Sequence, residues 1–512
     1  MSLKLGTVRA CVSGLCLALG GFMIGYDTGV VGGVLTFHSF ARDFNYADAS
    51  KPRVTSISSL VVGLQQVGAF LASVFISPVA NRYGRRIPLF IACVVFCIGV
   101  ILETVPSGQL PLFYVGRIIA GFGIGSATTL VPVYIAEISP IHLRGSLGSS
   151  IQWMFTWGVF TSYWVDYAVK QRVPDSLARQ WQVPIALQMV PASILAISLL
   201  FLPESVRWLV KRGRTDEAWA SLSWIRGGDT ADARAEFEEI KIATTVETNS
   251  LEGFKRRELL EPRNRKRLLM AFAIFLCQQS TGATALAYFG PQVFQLVVGP
   301  GDRNLLVTGI FGFIKVLACG IFVLFVSERF GRKNFLIIGA SGMALCMLTV
   351  ATLDKVQPPG HGDVLPSGYA MVGLIFLNIV FYNTSWGPLP WTYVSEIFPT
   401  RTREVGVSVG MSTQWLFNLM YSLITPYMIS GMGWGTFLFY AIADVITVVF
   451  VWFCLKETRG LSLEQIEHLF HTPNDKDPEE RDHDGADYAR GRDSVDKSLE
   501  DTATAEVGTR KS

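Results

Sequence analysis

Long apolar runs recur along the whole chain and alternate with short polar segments. A bilayer core of about 30 Å requires roughly 20 apolar residues per helix, and each of these runs has about that length. The predicted spans lie near residues 10–33, 56–80, 87–105, 111–134, 147–169, 183–202, 268–289, 304–326, 334–353, 368–392, 406–430 and 434–455. The pattern therefore predicts an all-α membrane protein with twelve transmembrane helices.

Short polar motifs at the ends of these runs occur twice, in the same order and about 250 residues apart. The paired motifs are Asn81-Arg82-Tyr83-Gly84-Arg85-Arg86 with Glu328-Arg329-Phe330-Gly331-Arg332-Lys333, Tyr134-Ile135-Ala136-Glu137 with Tyr393-Val394-Ser395-Glu396, and Pro203-Glu204-Ser205 with Lys456-Glu457-Thr458. The repetition predicts two pseudo-symmetric six-helix halves, 1–202 and 268–455, which is a layout of transporters whose binding site lies between the halves.

Charge is concentrated outside the predicted spans. Only 17% of the residues are charged, where soluble domains carry about 25%. Most of the charges fall in 203–267 and 456–512. We expect the first stretch to be a partly helical cytoplasmic linker and the second a largely disordered cytoplasmic tail. An ordinary soluble enzyme is disfavoured, and a formal net charge of +3 gives no footprint for nucleic acid.

Catalytic and metal-binding motifs are weak in this sequence. All eight cysteines lie in apolar runs, which argues against a disulfide framework and against a metal site. The chain has no Gly-Lys dipeptide and hence no Walker A loop for ATP. A Gly-x-Ser-x-Gly match at 406–410 opens an apolar helix and lacks the strand context of a hydrolase. We expect no enzyme activity, no cofactor and no metal.

Arginines in the short loops set the expected orientation. With an even number of spans both termini share one side of the membrane, and the Arg-rich loops fall on that side. These loop residues are Arg82, Arg85, Arg86, Arg329, Arg332, Lys333, Arg401 and Arg403. By the positive-inside rule that side is the cytoplasm, and the first run is a retained span, with a cleaved signal peptide as the alternative.

Asp27 lies among glycines in the middle of the first predicted span. A bare carboxylate at the helix centre costs at least ~2.5 kcal/mol on insertion scales, so it needs a partner or a function. Arg117 in the fourth span is the natural partner, because Gly116, Gly121 and the glycines that follow allow close helix approach. Either the two form a static buried ion pair, or Asp27 is a protonatable switch for coupling.

Side-chain amides are a second unusual feature of the apolar spans. They are Gln152, Gln278, Gln279, Asn383, Gln414 and Asn418. An amide offers both a donor and an acceptor, which suits a hydroxylated solute, and Trp391, Tyr288 and Phe289 would supply apolar faces for a ring. The alternative is that the amides bond across helices and hold the bundle together.

Paired charges flank the spans on the Arg-rich side. They are Arg82, Arg86, Glu137, Arg144, Glu204 and Arg207 in the first half, and Arg329, Arg332, Glu396 and Arg403 in the second. They serve either as topology anchors or as a salt-bridge lattice that closes the cytoplasmic side of a transporter. Lys315 and Asp444 also lie inside spans, without a partner that the sequence can identify.

Several of these motifs together resemble the sugar porter family of the major facilitator superfamily, and within it the fungal hexose, polyol and quinate permeases. The motifs are Gly25-Tyr26-Asp27-Thr28-Gly29, the two Arg-x-Gly-Arg loops, Gly116-Arg117, Pro203-Glu204-Ser205-Val206-Arg207-Trp208-Leu209, Gln278-Gln279 with Thr281-Gly282, and Gly387-Pro388-Leu389-Pro390-Trp391. The resemblance implies the major facilitator fold, alternating access, function as a monomer in the plasma membrane, and proton symport, since proton-coupled members carry Asp in the first motif. A facilitative uniporter and a non-transporting nutrient sensor are the alternatives.

The same resemblance assigns the substrate site residue by residue. The family's sugar-binding positions fall on Gln152, Gln278, Gln279, Trp391 and Asn418, and Tyr288 belongs to the same wall. Where the family usually carries Asn, this chain has Thr284, which puts hexose specificity in doubt. Trp164-Val165-Asp166-Tyr167 is similar to the quinate and uronate branch. The implied substrate is a hexose, pentose, polyol, quinate or uronate.

Overall fold

The computed structural model describes residues 5–106, 108–140, 143–251, 256–298, 302–326, 331–358 and 366–459. Within these ranges the regular structure is helical and contains no β-strand. The predicted disordered tail, from about residue 473, and Arg329 lie outside the described residues. We call the face of the bundle at which the first helix begins the near face, and the opposite one the far face.

The first half crosses the bilayer six times. Its helices are α1 (Leu5–Val34), α2 (His38–Asp43), α3 (Lys51–Tyr83), α4 (Arg86–Thr104), α5 (Leu110–Ile138), α6 (Arg144–Arg172), α7 (Arg179–Leu187) and α8 (Met189–Phe201). The short helix α2 lies at the far face, and α7 and α8 together make the sixth crossing. Three further helices follow before the second half: α9 (Val206–Lys211), α10 (Thr215–Arg226) and α11 (Ala231–Leu251).

The second half repeats the pattern with more interruptions. Its helices are α12 (Pro262–Ser280), α13 (Ala283–Val298), α14 (Asp302–Ile321), α15 (Arg332–Val356), α16 (Pro366–Asn383), α17 (Leu389–Ile397), α18 (Thr400–Met432) and α19 (Gly435–Cys454). A 3₁₀ turn at Arg256–Leu260 precedes α12, and a π-helical segment at Phe322–Val326 follows α14. The seventh crossing bends at Gly282, whose φ of 76° favours glycine.

Nine of the described crossings are apolar and long enough to span a membrane by length and composition. The other three are α6, the α16–α17 pair and α18. Each of them carries side-chain amides, such as Gln152 in α6, Asn383 in α16 and Gln414 in α18, and these lower the average hydropathy. Four of the six amides singled out in the sequence therefore lie on the crossings with the weakest membrane signal, while Gln278 and Gln279 lie on α12, within one of the nine.

Helix packing brings the two halves together along a central seam. Within the first half α1 packs against α6, and α5 packs against both α3 and α4. Within the second half α15 packs against α16 and α19. Across the seam α3 packs against α18, α6 against α14, and α1 against α13. We use "seam" below for this surface between the two halves.

Glycines set the closest helix contacts. A Cβ at Gly25 of α1 would overlap the carbonyl oxygen of Phe155 in α6, and a Cβ at Gly158 of α6 would overlap the carbonyl oxygen of Phe22 in α1. Apolar packing gives helices little drive to associate inside a membrane, so small residues that let backbones approach are what hold such pairs. This contact keeps Asp27, two residues after Gly25, at a fixed depth in the bundle.

We expect Gly25→Ala to destabilise the protein, because the added methyl group has no room at the α1–α6 contact. Overpacking costs typically 1–3 kcal/mol, which we expect to appear as a lower melting temperature of the purified protein in detergent. Gly148→Ala in α6 is the matched control, since nothing lies within 4 Å of its added methyl group. Equal melting temperatures for the two variants would contradict this account of the contact.

Candidate functional site

A buried ion pair lies in the middle of the first half. Arg117 Nη1 of α5 donates to Asp27 Oδ1 of α1 at 2.9 Å, and the side chains are 0% and 2% exposed, respectively. This is the pairing that the sequence suggested. Arg117 Nε also donates to the carbonyl oxygen of Val61 in α3 at 2.9 Å. Charge-assisted bonds of this kind are stronger than neutral ones, so the pair ties three helices together.

Gln65 of α3 completes the ring around the pair. Its Nε2 donates to Asp27 Oδ2, while its Oε1 accepts from Arg117 Nη2. The amide therefore satisfies both charged groups at once. The sequence analysis did not single out Gln65, although an amide in an apolar span was the signal by which other residues were chosen.

A second carboxylate faces the same guanidinium. Glu103 Oε2, near the end of α4, lies 3.6 Å from Arg117 Nη1, and both side chains are fully buried. Gln188, at the junction of α7 and α8, donates to Glu103 Oε2 at 3.3 Å. Glu103 was overlooked because the sequence places it at the end of a predicted span, where a carboxylate usually reaches the membrane surface. One cation thus lies between two acids.

Tyr288 joins this cluster to the second half. Its hydroxyl on α13 accepts from Nε2 of Gln66 on α3 at 3.0 Å. Gln66 follows Gln65 directly in the sequence. Tyr163 of α6 donates to the carbonyl oxygen of Ala287 at 2.6 Å, also across the seam. Among the residues predicted to bind substrate, Tyr288 is therefore the one that this structure links by a hydrogen bond to the half containing Asp27.

The paired glutamines of α12, Gln278 and Gln279, have side-chain carbonyl oxygens that accept no hydrogen bond from a described residue. Gln278 Nε2 donates to the carbonyl oxygen of Trp386 at 2.8 Å, which fixes the turn between α16 and α17. Within the described part of the chain, the buried Oε1 atoms of Gln278, Gln279 and Gln414 have no hydrogen-bond donor. Buried acceptors without a partner are rare in folded proteins, and a hydroxylated ligand would satisfy them.

The remaining predicted substrate residues are found on four helices. Trp391 on α17 packs against Phe275 of α12, with ring centroids 5.3 Å apart. Asn418 on α18 is buried and accepts from Ser422 at 3.2 Å. Gln152 on α6 is half-buried and hydrogen-bonds none of the described residues, so its side chain is available to a ligand.

Thr284 on α13, the departure from the family pattern, is half-buried beside the hydroxyl of Tyr382. Asn383 differs from the other amides, because its Nδ2 donates within its own helix to Ile379 at 2.9 Å. That bond stays within one helix, so it is not one of the cross-helix bonds that the alternative for the amides expected.

The near-face ion pair of the first half includes an arginine that was not among the predicted lattice charges. Arg85, not Arg82 or Arg86, forms the bidentate ion pair with Glu137, at 2.9 and 3.0 Å. Arg82 lies over the ring of Tyr83 instead, with its guanidinium carbon 5.4 Å from the ring centroid. The three arginines lie within five residues of one another, and the start of α4 decides which of them faces α5. The predicted lattice did not include Arg85, so this member of the ion pair comes from the structure alone.

The second half repeats the pair at the corresponding position. Arg332 Nη2 donates to Glu396 Oε1 at 3.0 Å, and Thr458 donates to Glu396 Oε2 at 2.6 Å. Each of the two ion pairs joins residues of the same half, Arg85–Glu137 in the first and Arg332–Glu396 in the second. On the near face, no ion pair between described residues joins the two halves. The structure therefore contains the paired charges of the predicted lattice without a bridge across the seam.

Glu204 and Glu457 act as equivalent helix caps. Glu204 accepts from the backbone N–H groups of Arg85 at 2.9 Å and Arg86 at 3.2 Å, at the start of α4. Glu457 accepts from the backbone N–H groups of Arg332 at 2.9 Å and Lys333 at 3.0 Å, at the start of α15. A carboxylate at a helix N-terminus satisfies free N–H groups and interacts favourably with the helix dipole. Sequence analysis noticed the repeat but did not assign Glu457 a role.

Other charges of the predicted lattice are less engaged. Arg86 donates its side chain to the carbonyl oxygen of Leu200 at 3.1 Å. In the described ranges no carboxylate lies within 4 Å of Arg144 or Arg207. The side chain of Arg403 and all of Arg329 lie outside the described residues.

Further charged side chains are buried in the described membrane-spanning helices. Lys315 of α14 is 3% exposed, while Asp166 of α6 and Asp444 of α19 are each 0% exposed. No described donor hydrogen-bonds the carboxylate oxygens of either aspartate. Asp166 lies against Gly33 of α1, where any side chain would overlap its carboxylate. Burial of this kind in a membrane marks residues under functional constraint.

Twelve crossings in two related halves, with broken helices and free polar groups along the seam, define a membrane transporter of the major facilitator class. A family model described as "Sugar (and other) transporter" matches residues 14–470. The chain belongs to this family and is an integral, multi-pass membrane transporter for a sugar or sugar-like solute.

Individual relatives agree with that assignment. The chain is 34% identical over 462 residues to a quinate permease of Emericella nidulans, covering 88% of this chain and 86% of that protein. A probable quinate permease of Aspergillus niger is 34% identical over 465 residues, with the same coverage. The solved structure of the proton:xylose symporter XylE with 6-bromo-6-deoxy-D-glucose has a TM-score of 0.77 and 28% identity, over 91% of this chain and 100% of that one.

We expect Arg85→Ala to lower both stability and transport, because it removes a partly buried bidentate pair and leaves Glu137 without its cation. Such a loss costs about 1.5–3 kcal/mol. Arg82→Ala, in the same loop, is the control and should leave both properties near those of the wild type. Melting temperature and initial uptake rate are the measurements. An equal or larger effect of Arg82→Ala would contradict the importance of the Arg85–Glu137 pair.

Proposed function

We propose that the protein is a proton symporter that takes up a sugar or sugar-like polyhydroxylated solute by alternating access. The observation that carries the proposal is the buried Asp27–Arg117 pair and its link, through the neighbouring amides Gln65 and Gln66, to Tyr288 on the wall of the second half. Two hydrogen bonds, Gln65 to Asp27 and Gln66 to Tyr288, thus connect the carboxylate of Asp27 in the first half with α13, the helix that carries Thr284. The relatives include a protein described as a proton:xylose symporter.

Coupling follows from the number of acids around Arg117. When Asp27 takes up a proton, its ion pair with Arg117 is lost, since a neutral carboxyl holds a guanidinium far less strongly. Glu103, whose Oε2 lies 3.6 Å from Arg117 Nη1 in this structure, then balances the charge of the guanidinium. Protonation of Asp27 therefore does not leave an uncompensated buried charge. Gln65 contacts both members of the pair, and its neighbour Gln66 holds Tyr288, so rearrangement of this ring changes contacts at the seam.

The substrate-binding wall is supplied mainly by the second half. The free carbonyl oxygens of Gln278, Gln279 and Gln414 accept from solute hydroxyls, and the ring of Trp391 packs against an apolar sugar face. Gln152 and Asn418 close the site from α6 and α18. Thr284 and Tyr382 offer hydroxyls where a longer amide would reach further, so the proposal does not include strict hexose selectivity.

The near-face charges provide the gate in this scheme. Arg144 and Arg207 lie on the near side, form no ion pair with a described carboxylate, and are free to gain a partner as the halves rock. The pairs within each half, Arg85 with Glu137 and Arg332 with Glu396, keep the helix ends rigid during that motion. The uptake measurement on Arg85→Ala tests this part of the proposal.

Two other functions remain alternatives. A facilitative uniporter on the same scaffold would move the solute only down its gradient, and a nutrient sensor would bind solute without moving it. Neither requires Asp27 to release a proton, which makes this residue the point of discrimination. We also propose that the protein works as a monomer, without ATP, cofactor or metal.

We expect Asp27→Asn to abolish uphill accumulation and the pH dependence of uptake while leaving exchange of solute across the membrane, because an amide cannot release a proton. The test is uptake of labelled solutes by cells lacking other transporters, with and without a protonophore. The panel includes hexoses, pentoses, polyols, quinate and uronates. Asp48→Asn on an exposed far-face loop makes the same chemical change and should behave as the wild type.

The wild type itself decides between the alternatives in that experiment. Uptake that is insensitive to pH and protonophore would make the protein a uniporter, and absence of uptake across the panel, with retained binding, would make it a sensor. Exchange that disappears together with accumulation in Asp27→Asn would point to a structural ion pair instead of a coupling one.

For location we propose the plasma membrane, with both termini and the 203–267 linker in the cytoplasm. An engineered Ala235→Cys in α11 should then resist an impermeant thiol reagent in intact cells and react after permeabilisation. Asp48→Cys, on the opposite face of the bundle, is the control and should react in intact cells. Both sites are exposed to solvent. The reversed labelling pattern would invert the proposed orientation.

A further inference from the structure

Lys315 is a cation at mid-membrane depth. It is the fourteenth residue of α14, which begins at Asp302 on the far face. At about 1.5 Å per residue, some 20 Å of helix separate it from that face, and the π-helical segment to Val326 extends the helix by a similar distance toward the near face. A lysine side chain is too short to reach either surface from there, so its charge must be satisfied inside the protein.

No carboxylate of the described residues forms an ion pair with Lys315. What surrounds its Nζ are two aromatic rings, Phe155 at 5.7 Å and Phe311 at 5.8 Å from ring centroid to nitrogen. Rings at these distances stabilise a cation only weakly compared with an anion. The protein thus holds a buried ammonium group in place while leaving it without a counter-ion.

The buried aspartates of the described spans do not pair with Lys315. Asp27 is bound by Arg117 and Gln65. Asp166 is on α6 like Phe155, but eleven residues further on, which corresponds to about 16 Å along the helix. Asp444 is on α19, which packs against α12 and α15.

The position of Lys315 is on the seam. Phe155 belongs to α6 of the first half, and α14 packs against this helix and against α13 of its own half. Gln152, a predicted substrate residue, is three residues before Phe155 and so lies on the same face of α6. Thr284 and Tyr288 are on α13. The unpaired ammonium group therefore lies among the helices that carry the proposed substrate site.

We propose that Lys315 binds the carboxylate of an anionic substrate, so that the transported solute is a polyhydroxylated acid and not a neutral sugar. This proposal rests on the transport function proposed above and names the substrate class of that same site. The amides of the second half bind the hydroxyls of the ring, while Lys315 supplies the one positive group that a carboxylate requires. A neutral sugar would leave this cation without a partner, and a site with an unpaired charged group discriminates against such a ligand.

The test uses the full-length protein in proteoliposomes with an inward proton gradient. Uptake of labelled quinate, a polyhydroxylated carboxylic acid, is competed with unlabelled quinate, with its neutral carboxamide and with glucose. We expect quinate to compete at a concentration at least tenfold lower than the carboxamide. In Lys315→Gln the KM for quinate should rise roughly 10- to 100-fold, as expected for loss of a charge-assisted bond, while the carboxamide competes as before.

Two variants separate binding from structure. Lys315→Arg keeps the charge and should retain the preference for quinate over its carboxamide. Lys355→Gln removes a lysine that also lies over an aromatic ring, Trp434 at 4.4 Å, but at the exposed end of α15, and should leave the preference unchanged. If Lys315→Gln does not yield folded protein, Lys315→Met and Lys315→Arg replace it in the comparison.

The outcomes are distinct for the two proposals. Proton-driven uptake of glucose with no preference for quinate over its carboxamide would overturn the role of Lys315 and leave the transport function standing. If Lys315→Gln weakened competition by quinate, its carboxamide and glucose equally, and Lys315→Arg also lost the preference for quinate over its carboxamide, the lysine would be structural. Absence of proton-driven uptake for every solute would instead defeat the transport function on which this inference rests.

Discussion

The cost of placing charge in a low-dielectric membrane interior constrains this structure more than any other term. Asp27 and Arg117 are fully buried, and a single ion at that depth without a partner would be strongly destabilising. Helices α1, α3 and α5 must therefore meet at one depth, with Gln65 closing the ring between them. The glycine contact between α1 and α6 follows from the same requirement, because it fixes the depth of Asp27.

At the near face, outside the hydrocarbon region, the same charge-pairing contacts occur once in each half. Glu204 and Glu457 each cap the helix that follows a glycine of the repeated loop, and Arg85 and Arg332 each bind the glutamate at the end of the neighbouring span. At Gly84 the φ of 94° and the closeness of the Glu204 carboxylate both exclude a side chain. The duplicated motif is therefore a duplicated set of contacts, and each half is rigid at its near face on its own.

Between the two rigid halves the seam holds polar groups that the protein does not satisfy. The free carbonyl oxygen of Gln414, the half-buried Gln152 and the ammonium group of Lys315 belong to α18, α6 and α14, which pack across it. The paired glutamines belong to α12, which packs against α18. A soluble core would pair such groups or exclude them. In the proposed transport function they are the complement of the solute, and their mixture of acceptors and one cation matches the polyhydroxylated acid that we propose as the substrate.

The sequence by itself determined the spans, the two halves and the partner of Asp27, because these depend on hydrophobic run length, on repeated motifs and on the rarity of charge in a membrane. Only the tertiary structure decided that Arg85 and not Arg82 binds Glu137, since the direction in which each arginine of this loop points is set by where α4 begins. It also decided that Glu103 shares Arg117 and that Lys315 faces Phe155 across the seam. Such contacts join residues far apart in the chain, and they depend on helix rotation and crossing, which hydropathy and spacing do not encode.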